Sequence, residues 1–385
     1  MRTFPPGFLW GAATSGHQTE GNNVTSDYWQ REYAADSEIP EVSGDACDSF
    51  HRYAEDIELL AGLGLTSYRF GVEWSRIEPE RGHVSIAMLD HYRRMVECCL
   101  SHGLTPMVTL NHFTVPRWMD ALGGWHHPHA AELFARFTEI ALPIVRDGVE
   151  WVCTINEPNI IACREGAADP DAEPVAYGMA RPHPAVSAEL VRAHRMAREV
   201  LTGVRSGWTV ATQAIHAAPG CEEQAAEYSH PLEEYFLEAA RGDDFVGVQA
   251  YTRTFVGRAG ALPPPDGAET TLTGWEYFPP ALAIGVRNAW KVTGGVPVIV
   301  TENGIATADD ARRIDYTRDA LTGLHETIAE GVDVRGYYHW SALDNYEWGR
   351  WSPTFGLIAV DRTTFERTVK PSAKWLGEVA RANAL

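Results

Sequence analysis

The chain has 385 residues, of which 45% are hydrophobic and 22% are charged, and its formal net charge at pH 7 is −20. This acidic balance argues against binding to nucleic-acid phosphates or to anionic membranes, because both need clustered Lys and Arg. No stretch reaches the roughly 20 consecutive apolar residues of a membrane-spanning helix, and the start, MRTFPPGFLW, does not have the pattern of a signal peptide.

Eight short, β-rich apolar runs alternate with longer stretches of helical periodicity. The runs span residues 8–15, 66–74, 105–112, 150–157, 208–216, 244–252, 297–303 and 336–344. The clearest helical stretches span residues 48–64, 90–103, 131–145, 312–331 and 372–385. This alternation predicts an α/β fold, a single (β/α)₈ TIM barrel with eight parallel strands in which residues 1–385 form one domain. The alternative, an open doubly wound sheet, would need a GxGxxG turn after the first run, and GAATSGHQTEG has none.

Polar and aromatic side chains follow the predicted strands at the barrel end where TIM-barrel chemistry takes place. In chain order they are Gln18, Glu20, Arg69, Glu73, Trp74, Asn111, His112, Asn156, Glu157, His216, Gln249, Tyr251, Glu302, Asn303, Trp340, Glu347 and Trp348. We interpret Glu20 and Glu73 as structural carboxylates, each paired with an arginine in the barrel mouth.

Glu157 and Glu302 each close a predicted strand, the fourth and the seventh. Taken alone, the sequence Asn156-Glu157-Pro158 is equally typical of a simple turn. Two carboxylates across an aromatic-lined barrel mouth, however, suit glycoside hydrolysis, in which one is an acid and the other a nucleophile or a base. Arg69 and Tyr251 could keep Glu302 ionised, and its charge would help Glu157 to retain a proton.

Sugar recognition requires planar hydrogen-bonding groups and aromatic faces. Gln18, His112, Glu347, Trp340 and Trp348 can provide these, and Asn156 can bind a sugar 2-hydroxyl group.

No motif for a cofactor or a metal appears in the chain, so we expect neither. His126, His127 and His129 precede a helix with a spacing that fits no metal site, and we interpret them as surface residues. The six cysteines show neither CxxC nor zinc-finger spacing, which favours a cytoplasmic protein without disulfides. The sequence leaves the oligomeric state open.

Several blocks of the sequence, in order, resemble glycoside hydrolase family 1, the β-glucosidase and β-glycosidase family. They are FPPGFLWGAATSGHQTEG, RFGVEWSRIEP, LNHFTVPRWM, TINEP, VTENG and WSALDNYEW. The resemblance implies a (β/α)₈ barrel that hydrolyses β-linked sugars with retention and without a cofactor. It implies that Glu157 is the acid/base and Glu302 the nucleophile. It further implies that Arg69 and Tyr251 support Glu302, while the glycone is bound by Gln18, His112, Asn156, Trp340, Glu347 and Trp348.

Members of the family that act on 6-phosphosugars carry Ser at the Glu347 position, with Lys and Tyr shortly after it. Glu347, Pro353 and Phe355 therefore imply an unphosphorylated substrate. Two departures affect the pocket rim: GVQAYT places Gln249 and Ala250 where the family usually has Asn and an aromatic residue, and GRWSPTFG follows Trp348. The chain is also shorter than typical members, and segments 164–183 and 257–274 are the expected sites of shortening.

The main hypothesis is a retaining exo-β-glycosidase acting on a β-glucoside or a close relative such as a galactoside or fucoside. Transglycosylation would use the same residues and stays open. A non-catalytic sugar-binding relative would be expected to have lost Glu157 or Glu302, and both are present.

Overall fold

The eight predicted strands form a closed, all-parallel barrel in the computed structural model, which describes residues 2–169 and 177–385. Each strand pairs with its neighbours in chain order, and the eighth closes the barrel against the first. The strands are β1 Leu9–Ala13, β2 Ser67–Gly71, β3 Thr105–Asn111, β4 Trp151–Asn156, β5 Arg205–Thr212, β6 Val246–Ala250, β7 Val298–Asn303 and β8 Val334–Trp340. The predicted (β/α)₈ fold is confirmed.

Helices lie between the strands and cover the barrel, as expected for parallel strands that need crossover connections. They are α1 Gly16–Thr19, α2 Asp27–Glu32, α3 Ser49–Leu63, α4 Trp74–Ile77, α5 Ile86–Ser101, α6 Arg117–Asp120, α7 Ala130–Val145, α8 Pro158–Ala167, α9 Pro184–Val200, α10 Glu222–Ser229, α11 Tyr235–Ala239, α12 Ala281–Thr293, α13 Asp310–Ala329 and α14 Pro371–Ala382. A 3₁₀ turn spans Gly124–His126, and a π-helical turn, His230–Glu234, joins α10 to α11.

The strand interiors are fully buried because helices cover one face and the barrel interior covers the other. Met107, Cys153, Ile299 and Tyr338, from four different strands, pack together in one buried cluster. All six cysteines are free thiols. In the described ranges, no helix combines the length and the apolar character needed to cross a membrane.

The predicted fifth strand, residues 208–216, extends too far toward the carboxyl end. β5 ends at Thr212, and Ala214 has a left-handed backbone with φ of 43°. A non-glycine residue in this conformation interrupts strand geometry. The chain then forms a short strand, Ile215–Ala217, which pairs with Thr254–Gly257 in a separate three-stranded sheet. His216 is therefore outside the barrel.

Candidate active site

A cavity of about 630 Å³ opens at the carboxyl ends of the barrel strands, a size typical of small-molecule sites. The predicted site residues that line it are Gln18, His112, Glu157, Gln249, Tyr251, Glu302, Trp340, Glu347 and Trp348. Two others, Arg69 and Asn156, are buried and are bonded to the residues of the cavity floor. The tertiary structure thus brings together eleven of the seventeen residues named from strand ends, while Glu20, Glu73, Trp74, Asn111, His216 and Asn303 do not line the cavity.

Glu157 lies at the junction between β4 and α8. Its φ of 45° and ψ of 60° are left-handed, and its backbone N–H donates to the Thr209 carbonyl at 2.8 Å. Pro158 follows at the first helical position, where its missing N–H costs nothing. Non-glycine residues held in this region cluster at functional sites. The turn predicted from Asn156-Glu157-Pro158 is present, and it directs a carboxyl group into the cavity.

The carboxyl group of Glu157 is poised to carry a proton near neutral pH. Burial raises its pKa to about 8, and the negative charge of Glu302 adds to this effect, while Arg164 and Arg69 oppose it. A carboxylic acid with a pKa near the working pH can donate a proton efficiently.

Glu302, on β7, has the opposite surroundings. Arg69 Nη1 donates to Oε1 at 2.6 Å, and the Tyr251 hydroxyl donates to Oε2 at 2.6 Å. Burial raises the pKa of Glu302 above its ordinary value, and the charge of Arg69 and these two hydrogen bonds offset only part of that rise. Because its ionised form has a cation and two donors, Glu302 is the member of the pair that ionises first.

Arg69 is fully buried and links Glu302 to the residue preceding Glu157. Its Nη2 donates to Asn156 Oδ1 at 2.5 Å, and its Nε donates to Thr109 Oγ1 at 3.0 Å. Gln249 Nε2 donates to the same Asn156 oxygen at 2.8 Å. The Asn156 carbonyl is therefore occupied by protein donors, and its Nδ2 lies 3.3 Å from His112 Nε2, which leaves one amide hydrogen for a ligand.

Glu347 belongs to a second polar group in the cavity. Trp340 Nε1 donates to Oε1 at 3.2 Å, and Gln18 Nε2 donates to Oε2 at 3.4 Å. Burial raises the pKa of Glu347 well above its ordinary value. The arrangement fixes both oxygens of the carboxyl group, which suits hydrogen bonds to neighbouring hydroxyl groups.

His112 and Trp348 form an aromatic wall. Their rings lie 6.3 Å apart and nearly parallel, and the His112 ring is also nearly parallel to that of Trp340 at 5.7 Å. Burial and the charges of Arg69 and Arg164 lower the pKa of His112 well below its usual range, so its imidazole is neutral. In the part of the chain that the structure describes, the buried Nδ1 has no hydrogen-bond partner.

The profile of the glycosyl hydrolase family 1 matches residues 1–243 and 265–385. The chain belongs to glycoside hydrolase family 1. It is 30% identical to β-glucosidase A of Thermotoga maritima over all of this chain and 99% of that protein. It is 33% identical to thermostable β-glucosidase B of Thermobispora bispora, over all of this chain and 92% of that one.

Solved structures give the same result. The crystal structure of β-glycosidase BGL167 is 46% identical, with a TM-score of 0.92 over 99% of this chain and 98% of that chain. A β-glucosidase of Thermotoga maritima in complex with glucoimidazole is 28% identical, with a TM-score of 0.89 over the whole of both chains. The protein is therefore a glycoside hydrolase, and these relatives support the β-glycosidase function of the family.

The shortening expected for this family 1 member is partly visible. The alignment with β-glucosidase A of Thermotoga maritima covers 451 positions. It includes all of this chain's 385 residues and 99% of that protein, which is therefore longer. The location of the shortening in the second segment, 257–274, stays a prediction. In the first segment, 164–183, residues 170–176 lie outside the described residues.

The prediction of arginine partners was correct for only one of the two structural carboxylates. Glu20 Oε2 lies 2.7 Å from Arg76 Nε. The prediction was wrong for Glu73, which within the described ranges has no ion pair and accepts hydrogen bonds from His17 N at 3.0 Å and from Asn23 Nδ2 and Thr114 Oγ1, each at 2.8 Å. Neutral donors from neighbouring loops satisfy this carboxylate because Arg76 is directed toward Glu20.

Two further expectations concern histidines. His216 was placed at the end of a barrel strand, and it does not line the cavity because its strand belongs to another sheet. His126 and His129 are exposed, and His126 Nε2 lies 3.0 Å from Glu165 Oε2. Among the residues described, no group of three or more His, Cys, Asp or Glu could hold a metal ion.

Strand-end analysis missed several cavity residues because they lie on helices and long loops. They are Phe113, Ile160, Arg164, Tyr177, Met179, Gln213, Arg253, Trp275 and Glu276, among others. Of these residues, Arg164 could have been predicted from the sequence, because it follows Glu157 by seven residues and thus lies near the same helix face.

Proposed function

We propose that this protein is a retaining exo-β-glycosidase in which Glu157 is the acid/base and Glu302 the nucleophile. The supporting observation is that two carboxyl groups line one cavity and differ in the groups that bind them. Glu302 is bound by Arg69 and Tyr251, whereas burial raises the pKa of Glu157 to about 8. Paired carboxyl groups whose environments differ in this way are typical of an acid and a nucleophile. The proposal treats residues 1–385 as one domain, and a cytoplasmic location stays a prediction.

In the first step, a carboxylate oxygen of Glu302 forms a bond to the anomeric carbon while the glycosidic C–O bond breaks. Glu157 transfers its proton to the departing oxygen, so the leaving group departs neutral. Arg69 and Tyr251 orient the Glu302 carboxylate, because each holds one of its two oxygens.

In the second step, a water molecule attacks the anomeric carbon of the glycosyl ester, and Glu302 leaves as a carboxylate. Glu157 must now accept the proton of that water. Esterification has removed the negative charge that helped to raise its pKa, so the pKa of Glu157 falls and the residue becomes a base.

The cavity supports an unphosphorylated glycone. Glu347 lines it with an acceptor pair fixed by Trp340 and Gln18, and a phosphate group at this position would face a carboxylate. Neutral His112 and the Trp340 and Trp348 rings supply a hydrogen-bonding edge and aromatic faces. Aryl glycosides that differ at C4 and C6 would distinguish gluco, galacto and fuco substrates.

The proposal is tested by comparing hydrolysis of an aryl β-glucoside by the wild type, Glu157→Gln and Glu302→Gln. Glu302→Gln should lose essentially all activity. Glu157→Gln should lose more activity on substrates with poor leaving groups than on substrates with activated aryl groups, because activated groups need little protonation. Glu55→Gln, an exposed carboxylate on α3, is the matched control and should keep wild-type rates.

Wild-type rates in Glu302→Gln would refute its role as nucleophile, and equal losses across leaving groups would refute Glu157 as the acid. NMR of the first-formed sugar tests the stereochemistry, since retention gives the β-anomer first. An α-anomer would require the inverting mechanism.

A further inference from the structure

The guanidinium group of Arg164 lines the catalytic cavity without a carboxylate partner. Within residues 2–169 and 177–385, no Asp or Glu oxygen lies within 4 Å of it. The other arginine that lines the cavity, Arg253, is bound by both oxygens of Glu276 at 2.8 and 2.6 Å. Although the chain has a net charge of −20, the described residues place no carboxylate on this cation in the cavity.

Aromatic rings hold Arg164 in place. Its guanidinium carbon lies 4.3 Å from the centroid of the Phe113 ring and 5.3 Å from that of Trp348. Such contacts fix the plane of an arginine while leaving its N–H groups available for hydrogen bonds. Partial burial lowers the pKa of Arg164, although the side chain remains accessible through the cavity opening. The group is thus positioned but not hydrogen-bonded to an acid.

Arg164 lies on the side of the cavity where the leaving group of a substrate would be placed. Glu157, which protonates the departing oxygen, immediately precedes α8, and Arg164 follows it by two helical turns. Side chains on a helix tilt toward its amino terminus, so the guanidinium extends back toward Glu157. The glycone-binding groups Gln18 and Glu302 are buried, whereas Arg164 is exposed in the outer part of the same cavity.

Building on the proposed function, we propose that Arg164 forms an anion-binding subsite for the aglycone, which selects β-glycosides whose aromatic leaving group carries a carboxylate. The aromatic ring would lie among the apolar side chains of the outer cavity, which include Ile160, Met179 and Trp275. A planar carboxylate matches the planar fork of an arginine. A single free cation balances one carboxylate but not a phosphate dianion, particularly beside Glu157 and Glu276.

The test compares two substrates of similar shape, 4-carboxyphenyl and 4-carbamoylphenyl β-glucoside, which differ in charge. Their ratio of kcat/KM is measured for the wild type, Arg164→Gln and Arg164→Lys. Comparing ratios between variants cancels the intrinsic reactivities of the two leaving groups, because no substitution in the protein changes them. Arg81→Gln, which removes an exposed arginine, is the charge-matched control.

The carboxylate preference is the ratio of kcat/KM for the 4-carboxyphenyl substrate to that for the 4-carbamoylphenyl substrate. Loss of a charge-assisted hydrogen bond should reduce this ratio about tenfold or more in Arg164→Gln. Arg164→Lys should retain part of it, and Arg81→Gln should retain all of it. The wild-type preference should also decrease as salt is added, because salt screens the ion pair.

Equal ratios in the wild type and Arg164→Gln would overturn the subsite, as would an equal loss with both substrates. An equal change in Arg81→Gln would also overturn it, by showing that the field of the whole protein is responsible. Failure of the wild type to hydrolyse either substrate would instead refute the proposed function. Thermal unfolding of each variant verifies that the fold is intact.

Discussion

Replacing Glu233 with Gln should stabilise the protein at neutral pH. Glu233 lies in the π-helical turn His230–Glu234 and is 3% exposed. It accepts a hydrogen bond from the backbone N–H of Gln213, a cavity residue, at 2.7 Å. Burial raises its pKa from 4.5 to about 8, while that hydrogen bond opposes the shift and the charge of Glu234 adds to it. In the described ranges no cation lies within 4 Å of its carboxyl group.

The raised pKa of Glu233 lowers the free energy of unfolding at neutral pH. In the unfolded chain the carboxyl group ionises near 4.5, whereas in the folded protein it remains protonated until about pH 8. Folding at pH 7 therefore requires protonation of a group that is ionised when unfolded, which costs about 3 kcal/mol. The contribution of Glu233 to the free energy of unfolding therefore decreases as pH rises from about 4.5 to about 8 and is constant above that range.

Glu233→Gln keeps the acceptor for Gln213 and removes the titration, so it should raise the melting temperature at pH 7. For 385 residues, 1 kcal/mol corresponds to about 1.2 °C, so about 3 kcal/mol predicts an increase of up to about 4 °C. The added amide donors can reduce this gain if they lack acceptors. The gain should disappear below about pH 4.5.

The assay is thermal unfolding of the wild type and Glu233→Gln at a fixed scan rate, from pH 5 to pH 9. Glu227→Gln, an exposed residue on α10, is the control and should show a smaller change. A difference in melting temperature between the wild type and Glu233→Gln that does not grow with pH would refute the reasoning, because only a titrating group produces that dependence.

Three further predictions concern the catalytic cavity and are measured by steady-state kinetics. Because burial raises the pKa of Glu157 to about 8, kcat/KM should fall as pH rises through about 8 and this limb should vanish in Glu157→Gln; an unchanged limb would assign it to another group. Gln249→Asn shortens the donor that bonds Asn156 Oδ1 at 2.8 Å and should lower kcat/KM about 2- to 10-fold, whereas wild-type activity would show that the contact contributes nothing. Arg69→Lys keeps the charge beside Glu302 but loses the fork that also holds Asn156, so kcat/KM should fall about 100-fold, and a loss below threefold would contradict the importance of the fork.

The repeated pattern of the chain was sufficient to predict the barrel. Alternating apolar runs and helical stretches allow few arrangements, because parallel strands need crossovers and both sheet faces need cover. The fifth strand shows the limit of this reasoning. Its apolar run continues past Thr212, yet Ala214 has a left-handed backbone and Ile215–Ala217 pairs with Thr254–Gly257 instead. The end of this strand is set by pairing with a strand that is distant in the sequence.

The candidate site was predictable where its residues close strands. Glu157, Tyr251 and Glu302 were found because the carboxyl ends of parallel strands meet at one rim. Residues on helices and loops, such as Arg164 and Trp275, have no such regular spacing and were missed.

The sequence by itself determined the strand and helix order, the family motifs and the identity of the paired carboxyl groups. The tertiary structure decided how each group is ionised and what it can bind. Glu157 and Glu302 are the same residue type and burial raises the pKa of both, so the Arg69 ion pair and the Tyr251 hydroxyl bound to Glu302 distinguish them. That Arg164 has no carboxylate partner among the described residues is likewise not visible in the sequence, because pairing depends on neighbours that only folding brings together.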